Sequence, residues 1–260
     1  SFCAPRIATL SQHTIPFAGR KWAEPGRIPN FAVAAGLAAG DFQGLQFNDS
    51  DVFKIMEGAS CRLAVSYDEQ LDRYMDSLIR LVALAQEPDG YLYTPRTIGR
   101  TTPRDAGKER WSNIRYSHEL YNAGHLYEAA VAHYYATGKR SLLDVAVKNA
   151  DLLYATFYEP NRKIVPGHEE IELALVKLYR ATQDPRYLAL ARFFLDARGS
   201  GGKQGVYSQD HLPVTERPEA VGHAVLGVHH TLGQPEVEAQ ERDPPELGSR
   251  QRAGRDPTTP

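Results

Sequence analysis

Apolar residues recur every three or four positions through the middle of the chain, the spacing of one helix face. Leu120, Ala123, Tyr127, Ala130 and Tyr134 keep this spacing, then Ile171, Ala174, Leu175 and Leu178, then Tyr187, Leu190, Ala191 and Phe194. The pattern predicts four consecutive helices between about Arg115 and Gly199, joined as two hairpins. The turns agree with it. Gly138 can take the left-handed conformation after the first helix, and Ser141 can cap the second. Asp184-Pro185 sets a capping acid before a proline at the first helical position.

The two hairpins resemble each other. A shift of 45 residues lays Ala129 on Ala174, Val131 on Val176, Tyr134 on Tyr179, Thr137 on Thr182, Leu143 on Leu188 and Ala146 on Ala191. A two-helix repeat of that length is the signature of a helical array. One hairpin cannot bury its own apolar face, so successive hairpins must stack into a solenoid or close into a ring.

Before the repeat, residues 1–48 are broken by prolines and glycines and are expected to wrap over the helical core. Asp49-Ser50-Asp51 gives a helix-start signal, with both acids read as caps, ahead of Val52, Phe53, Met56 and Ala59. A second helix is expected from about Asp68 to Gln86, with Leu71, Leu78, Val82 and Ala85 inward, stopping at Pro88-Asp89-Gly90. Tyr91 to Ile114 reads as one long loop, a feature that is often functional inside a compact domain. After the repeat, Gly199-Ser-Gly-Gly interrupts the pattern. A fifth helix is expected to begin near Glu216 and to fail after His230. Residues 231–260 hold no aromatic side chain and five prolines, so this tail is expected to be disordered. The abrupt loss of periodicity resembles a reading-frame change or a truncation. The expected organisation is a helical domain over 1–230 and a tail over 231–260.

Composition narrows the function classes. With 42% hydrophobic and 24% charged residues the chain is ordinary globular material. A formal net charge of −2 gives no reason to expect nucleic acid or an anionic membrane as a partner. No apolar run approaches the length of a spanning helix. No basic-then-apolar leader is visible, which favours a cytoplasmic location, although the chain begins at Ser1. Two cysteines, Cys3 and Cys61, make no disulfide framework and have no metal-ligand spacing.

Polar groups fall at matching ends of the repeated units. His118 opens the first helix of one hairpin, His168 that of the next, and His223 the expected fifth helix. Three imidazoles on one rim of a helical ring make a polar pocket suited to sugar hydroxyls, because a neutral imidazole both donates and accepts hydrogen bonds. His125 lies on the same face as His118 and is expected to pack between helices. Glu169, Glu170 and Glu172 are read mainly as acids favoured at the positive end of a helix. The segment His168 to Glu172 lacks the second histidine of a zinc-protease motif. Gln209-Asp210-His211 is a candidate contributor to the pocket. A glycosidase needs two carboxyl groups facing across one bond, and no convincing pair is apparent.

At these residues the chain resembles glycoside hydrolase family 127, the β-L-arabinofuranosidase group. The matching stretches are Phe47 to Lys54, Ala85 to Leu92, Ser117 to Leu126, Gly167 to Tyr179, Gln209 to Val214 and Ala220 to Val225. The resemblance implies an all-α fold, an incomplete (α/α)6 barrel. It implies that His118, His168 and His223 line the subsite for a terminal arabinofuranose, with an L-arabinofuranoside oligosaccharide as partner. In the family a zinc-held cysteine thiolate attacks the anomeric carbon and a glutamate acts as acid and base. Those groups lie in a Glu-x-Cys segment, a Cys-Cys pair and a Gly-Glu segment, none of which matches residues here. No catalytic residue or metal ligand is therefore assigned, zinc is implied only for the full-length family, and the 260-residue chain is expected to be inactive as it stands. The alternatives are a non-catalytic sugar-binding module and an α/α-barrel isomerase of the N-acylglucosamine 2-epimerase type.

Overall fold

The structure, a computed structural model, describes residues 3–9, 13–15, 17, 21, 26–99, 104–199 and 205–217. The helices are α1 (Cys3–Thr9), α2 (Ile28–Ala34), α3 (Asn48–Val65), α4 (Glu69–Ala85), α5 (Thr94–Ile98), α6 (Glu119–Thr137), α7 (Ser141–Leu153), α8 (Glu170–Thr182) and α9 (Pro185–Ala197). There is no strand among the described residues. The four helices expected across the repeat are α6 to α9.

Their order in space follows from which faces are apolar. α3 lies along α6, and α6 along α8, forming an inner row. α7 backs α6, α9 backs α8, and α4 packs on both α3 and α7 as part of an outer row. An outer helix needs only one apolar stripe. On α4 this is Met75, Leu78, Ile79, Val82 and Ala85, while Arg73, Ser77, Arg80 and Leu84 face water. The middle inner helix meets neighbours on several sides, so α6 buries an almost unbroken run from Asn122 to Val131. This two-layered stack of hairpins is an incomplete α/α barrel.

Local signals set the helix ends. The Asp68 carboxylate accepts from the backbone N–H groups of Gln70 and Leu71 at 3.0 and 3.1 Å. Gly138 ends α6 at φ +73°. Asp184 caps α9 by accepting from the Arg186 N–H at 3.0 Å. Ser141 does not cap α7. It is the first helical residue, and the preceding Arg140 instead pairs with Asp144 at 2.9 Å.

Three further expectations are corrected. Residues 91–114 are not one uninterrupted loop, for they include α5 and a 3-10 turn at Arg104–Ala106. Asp49 is not a cap. It is buried inside α3 and accepts from the Thr94 N–H at 2.8 Å and the Thr94 hydroxyl at 2.6 Å, tying α5 to α3. Its environment pushes its pKa up to about 6, burial being the main cause. Asp51 does not cap either, since it pairs with Arg27 at 3.0 Å.

An aromatic chain joins the layers. Trp111 meets Tyr91 and Phe157 edge-on at 5.2 and 5.4 Å, and Phe157 meets Phe194 at 5.7 Å. The expected fifth helix beyond Arg217, with His223, and the tail 231–260 lie outside the described residues.

Candidate functional site

The N-terminal ends of α3, α6 and α8 converge on one cavity of about 470 Å³. Phe47, Asp51 and Lys54 line it from α3 and its approach. Arg115, Tyr116, His118 and Tyr121 line it from α6 and its approach, Gly167 and His168 from the approach to α8, and Tyr207 and Ser208 from the loop after α9. Phe47 sits at the N-cap position of α3 without a side-chain cap, leaving its ring to the cavity.

His118 enters α6 in a left-handed conformation, φ +60°, unusual for a residue with a side chain. The turn is held from below, where the Ser117 hydroxyl and the backbone N–H of Trp111 both donate to the buried Glu119 carboxylate, at 2.8 and 3.1 Å. The His118 Nδ1 lies 2.7 Å from the Tyr116 carbonyl oxygen. A carbonyl only accepts, so Nδ1 carries the hydrogen. Burial lowers the proton affinity of this ring, which leaves a neutral imidazole with its lone pair on Nε2.

The other rings gather around it. His168 stands 4.9 Å from His118, Tyr121 lies 4.7 Å from His168 and 5.5 Å from His118, and Phe47 lies 5.3 Å from His118. The Lys54 ammonium donates to the Tyr121 hydroxyl oxygen at 2.7 Å and to the Ser50 Oγ at 3.1 Å. Gly167 permits the closest approach here. A Cβ on it would stand 2.3 Å from the Arg115 carbonyl oxygen, so only glycine lets the His168 segment lie against the entry to α6.

A buried arginine fixes the far rim. Arg198 donates to the Ser208 carbonyl at 3.0 Å and to the Pro166 carbonyl at 2.8 Å. Glu169 and Glu172 stand 3.4 and 3.5 Å from its guanidinium. These acids are therefore fully buried charge partners, not merely groups favoured at a helix end. Burial, opposed by Arg198, pushes the Glu172 pKa up to about 7.

One turn deeper, His125 does pack between helices as expected, its ring 4.5 Å from Tyr121. It also joins an acidic cluster, with Nδ1 3.1 Å from Glu170 Oε1 and 3.4 Å from Glu128 Oε2. Burial pushes Glu170 up, and so does the Glu128 charge. Burial acts the same way on Glu128, but hydrogen bonds from His125, Glu170 and Lys177 outweigh it and hold that carboxyl below the usual range. The two carboxyl groups are thus pushed in opposite directions, Glu170 toward the protonated form and Glu128 toward the ionised one.

Two clusters among the described residues bring three metal-ligating side chains within 4.8 Å of one another: His125, Glu128 and Glu170, and Asp72, Asp76 and His133. The second already holds a cation, because the Lys139 ammonium lies 2.8 Å from Asp72 and 2.7 Å from Asp76. Neither contains a cysteine. Cys61 is exposed, and partial burial together with the nearby Glu57 charge pushes its thiol up, away from a thiolate. These donor sets do not fit a zinc-held nucleophilic thiolate. No helix among the described residues is long and apolar enough to cross a membrane.

Of the three histidines expected at the site, His118 and His168 meet on one wall, and His223 lies outside the described residues. The loop after α9 contributes Tyr207 and Ser208 to the lining, whereas Gln209 and Asp210 are buried. Asp210 accepts from the Gly199 N–H at 2.7 Å and shapes the loop from within. Sequence reasoning missed Phe47, Lys54, Tyr121 and Tyr116. The one available signal was helical spacing, since Tyr121 follows His118 by three residues and Lys54 follows Ser50 by four.

Comparison with known proteins places this geometry. The family model for the β-L-arabinofuranosidase GH127 catalytic domain matches residues 1–240. A non-reducing end β-L-arabinofuranosidase of Bifidobacterium longum is 40% identical over 221 residues, which cover 76% of this chain and 33% of that enzyme. A solved GH127 β-arabinofuranosidase superposes with a TM-score of 0.86 at 48% identity, over 92% of this chain and 38% of the other. A GH127 β-L-arabinofuranosidase of Geobacillus stearothermophilus T6 gives the same TM-score, 0.86, at 36% identity, over 94% of this chain and 42% of the other. The chain therefore spans a third to two fifths of the length of these relatives, and they do not favour the isomerase reading.

Proposed function

Because this chain belongs to glycoside hydrolase family 127, the β-L-arabinofuranosidases, we propose that its cavity receives the terminal L-arabinofuranose of an oligosaccharide. The supporting observation is the neutral His118 imidazole set 4.9 Å from His168, on a wall shared with Tyr121. Such a wall offers hydrogen-bond acceptors and donors to sugar hydroxyls and ring faces to the C–H edges of a furanose. His223 is proposed as the third member, brought to the same rim by the helix expected after Glu216. Residues 1–230 are proposed as the barrel portion.

Release of arabinofuranose is the activity named for the Bifidobacterium relative. For this chain we assign the sugar-holding wall and not the bond-breaking groups, since the Cys61 thiol is pushed up, away from a thiolate, and neither three-ligand cluster among the described residues contains a cysteine. The 260-residue chain is then expected to bind methyl β-L-arabinofuranoside without hydrolysing p-nitrophenyl β-L-arabinofuranoside. Calorimetric titration and a nitrophenol release assay test both halves. No heat at millimolar sugar removes the binding assignment, and steady release of nitrophenol removes the claim of inactivity.

A further inference from the structure

Lys54 is an unusual feature of this wall. It lines the cavity and makes no ion pair among the described residues. An ammonium has three N–H donors and no acceptor. Two of its donors are accounted for by neutral oxygens, Ser50 Oγ at 3.1 Å and Tyr121 Oη at 2.7 Å. The direction of the first is fixed, because the Ser50 hydroxyl gives its own proton to the Phe47 carbonyl at 2.8 Å and can only accept from Lys54. The ammonium also stands 4.7 Å from the centre of the Tyr121 ring, which the His118 ring contacts at 5.5 Å. His118 presents the opposite polarity, since Nδ1 is spent on the Tyr116 carbonyl and Nε2 is an acceptor.

We propose that Lys54 is a specificity-determining residue, its third N–H reading one ligand hydroxyl whose own proton is given to His118 Nε2. This rests on the sugar-binding assignment above and adds to it a hydrogen-bond direction. A hydroxyl fits because it accepts and donates at once. A hydrogen in its place satisfies neither group, and an ether or a fluorine can accept from Lys54 but cannot donate to His118. Leaving the cavity cation without its acceptor is the costly error, since charge-assisted hydrogen bonds are about twice as strong as neutral ones.

The test is a titration of the 260-residue chain with methyl β-L-arabinofuranoside and its 2-, 3- and 5-deoxy analogues, using wild type, K54M and K54R. K54M is expected to weaken the parent sugar about ten- to a hundredfold. One deoxy analogue is expected to bind wild type that much more weakly and to lose nothing further in K54M. Equal weakening of all four ligands by K54M marks a merely structural role and overturns the proposal, as does unchanged affinity for all four. If K54M does not fold, K54R is read against the same ligands, with a loss confined to one hydroxyl expected and a uniform loss overturning. Wild type that binds none of the four removes the sugar-binding assignment itself, an outcome distinct from binding without the Lys54-to-hydroxyl coupling.

Discussion

The imidazoles of His118 and His168 stand 4.9 Å apart with their planes tilted by 43°. One ring precedes α6 and the other α8, so the contact is made at like ends of two successive hairpins. Repetition in sequence becomes adjacency in space because α6 and α8 are neighbours in the inner row. Two charged imidazoles at this separation would repel, and burial keeps His118 neutral. His118 thus meets the cavity as a hydrogen-bonding ring and not as a cation.

His118 can be separated from its backbone role. Asparagine adopts the left-handed conformation more readily than most residues, so His118→Asn keeps the turn at φ +60° while removing the ring. The expected result is an affinity for methyl β-L-arabinofuranoside reduced about tenfold or more, equivalent to at least about 1.4 kcal/mol. Unfolding stability in urea should stay within about 1 kcal/mol of wild type. An unchanged titration curve would remove His118 from the site.

Arg198 is the most consequential buried charge. It is fully buried, faces Glu169 and Glu172 at 3.4 and 3.5 Å, and holds both the Ser208 and Pro166 carbonyls. Removing one partner of a buried ionic group costs about 3–5 kcal/mol, because the other charge is left without compensation. Arg198→Met is expected to lose about that much in denaturant unfolding, and R198M/E172Q to recover part of it. Because the same guanidinium tethers the rim that carries Ser208, R198M should also weaken sugar binding.

The Glu172 carboxyl gives the fold a defined pH response. Its pKa rises from 4.5 to about 7 on folding, with burial the main cause. Between those values the folded chain keeps a proton that the unfolded chain releases. Stability from this group is therefore greatest below pH 4.5 and is lost as pH rises to about 7. At about 1.4 kcal/mol per unit the full loss is about 3 kcal/mol. Asp49, raised from 3.8 to about 6, acts in the same sense over a lower window. Urea unfolding at pH 5 and pH 8 should show a steeper decline for wild type than for Glu172→Gln, and parallel declines would remove the assignment.

The sequence made the helices legible and left part of the site obscure, for one physical reason. Helix faces are written as a local period, which Leu120 to Tyr134 and Tyr187 to Phe194 display within a single element. The His118 and His168 positions were legible because each opens the first helix of a hairpin, although the 50 residues between them exceed the 45-residue period of the apolar faces. Asp49 was read as a cap because its true partner, Thr94, lies far along the chain and no local pattern announces a cross-link. Glu169 and Glu172 were read as helix-end acids for the same reason, their partner Arg198 lying beyond the next helix. Lys54 looks like an ordinary helix-surface lysine until Tyr121 arrives from another element.

Gly124 tests the spacing of the inner row. It lies in the buried middle of α6, where α8 comes so close that an added Cβ would stand 2.6 Å from Glu170 Cγ and 3.1 Å from the Glu170 backbone carbonyl. The side-chain atom can rotate away, but the backbone atoms cannot move without shifting α8. In a helix interior alanine is otherwise favoured over glycine by about 1 kcal/mol. Overpacking a close contact costs about 1–3 kcal/mol, and here the clash is with backbone as well as side chain. Gly124→Ala is therefore expected to destabilise the fold by about 1–2 kcal/mol in urea unfolding. Gly124→Val adds two methyl groups at the same contact and should cost more. If alanine stabilises the chain, the approach of α6 to α8 is looser than described, and the adjacency of His118 and His168 loosens with it.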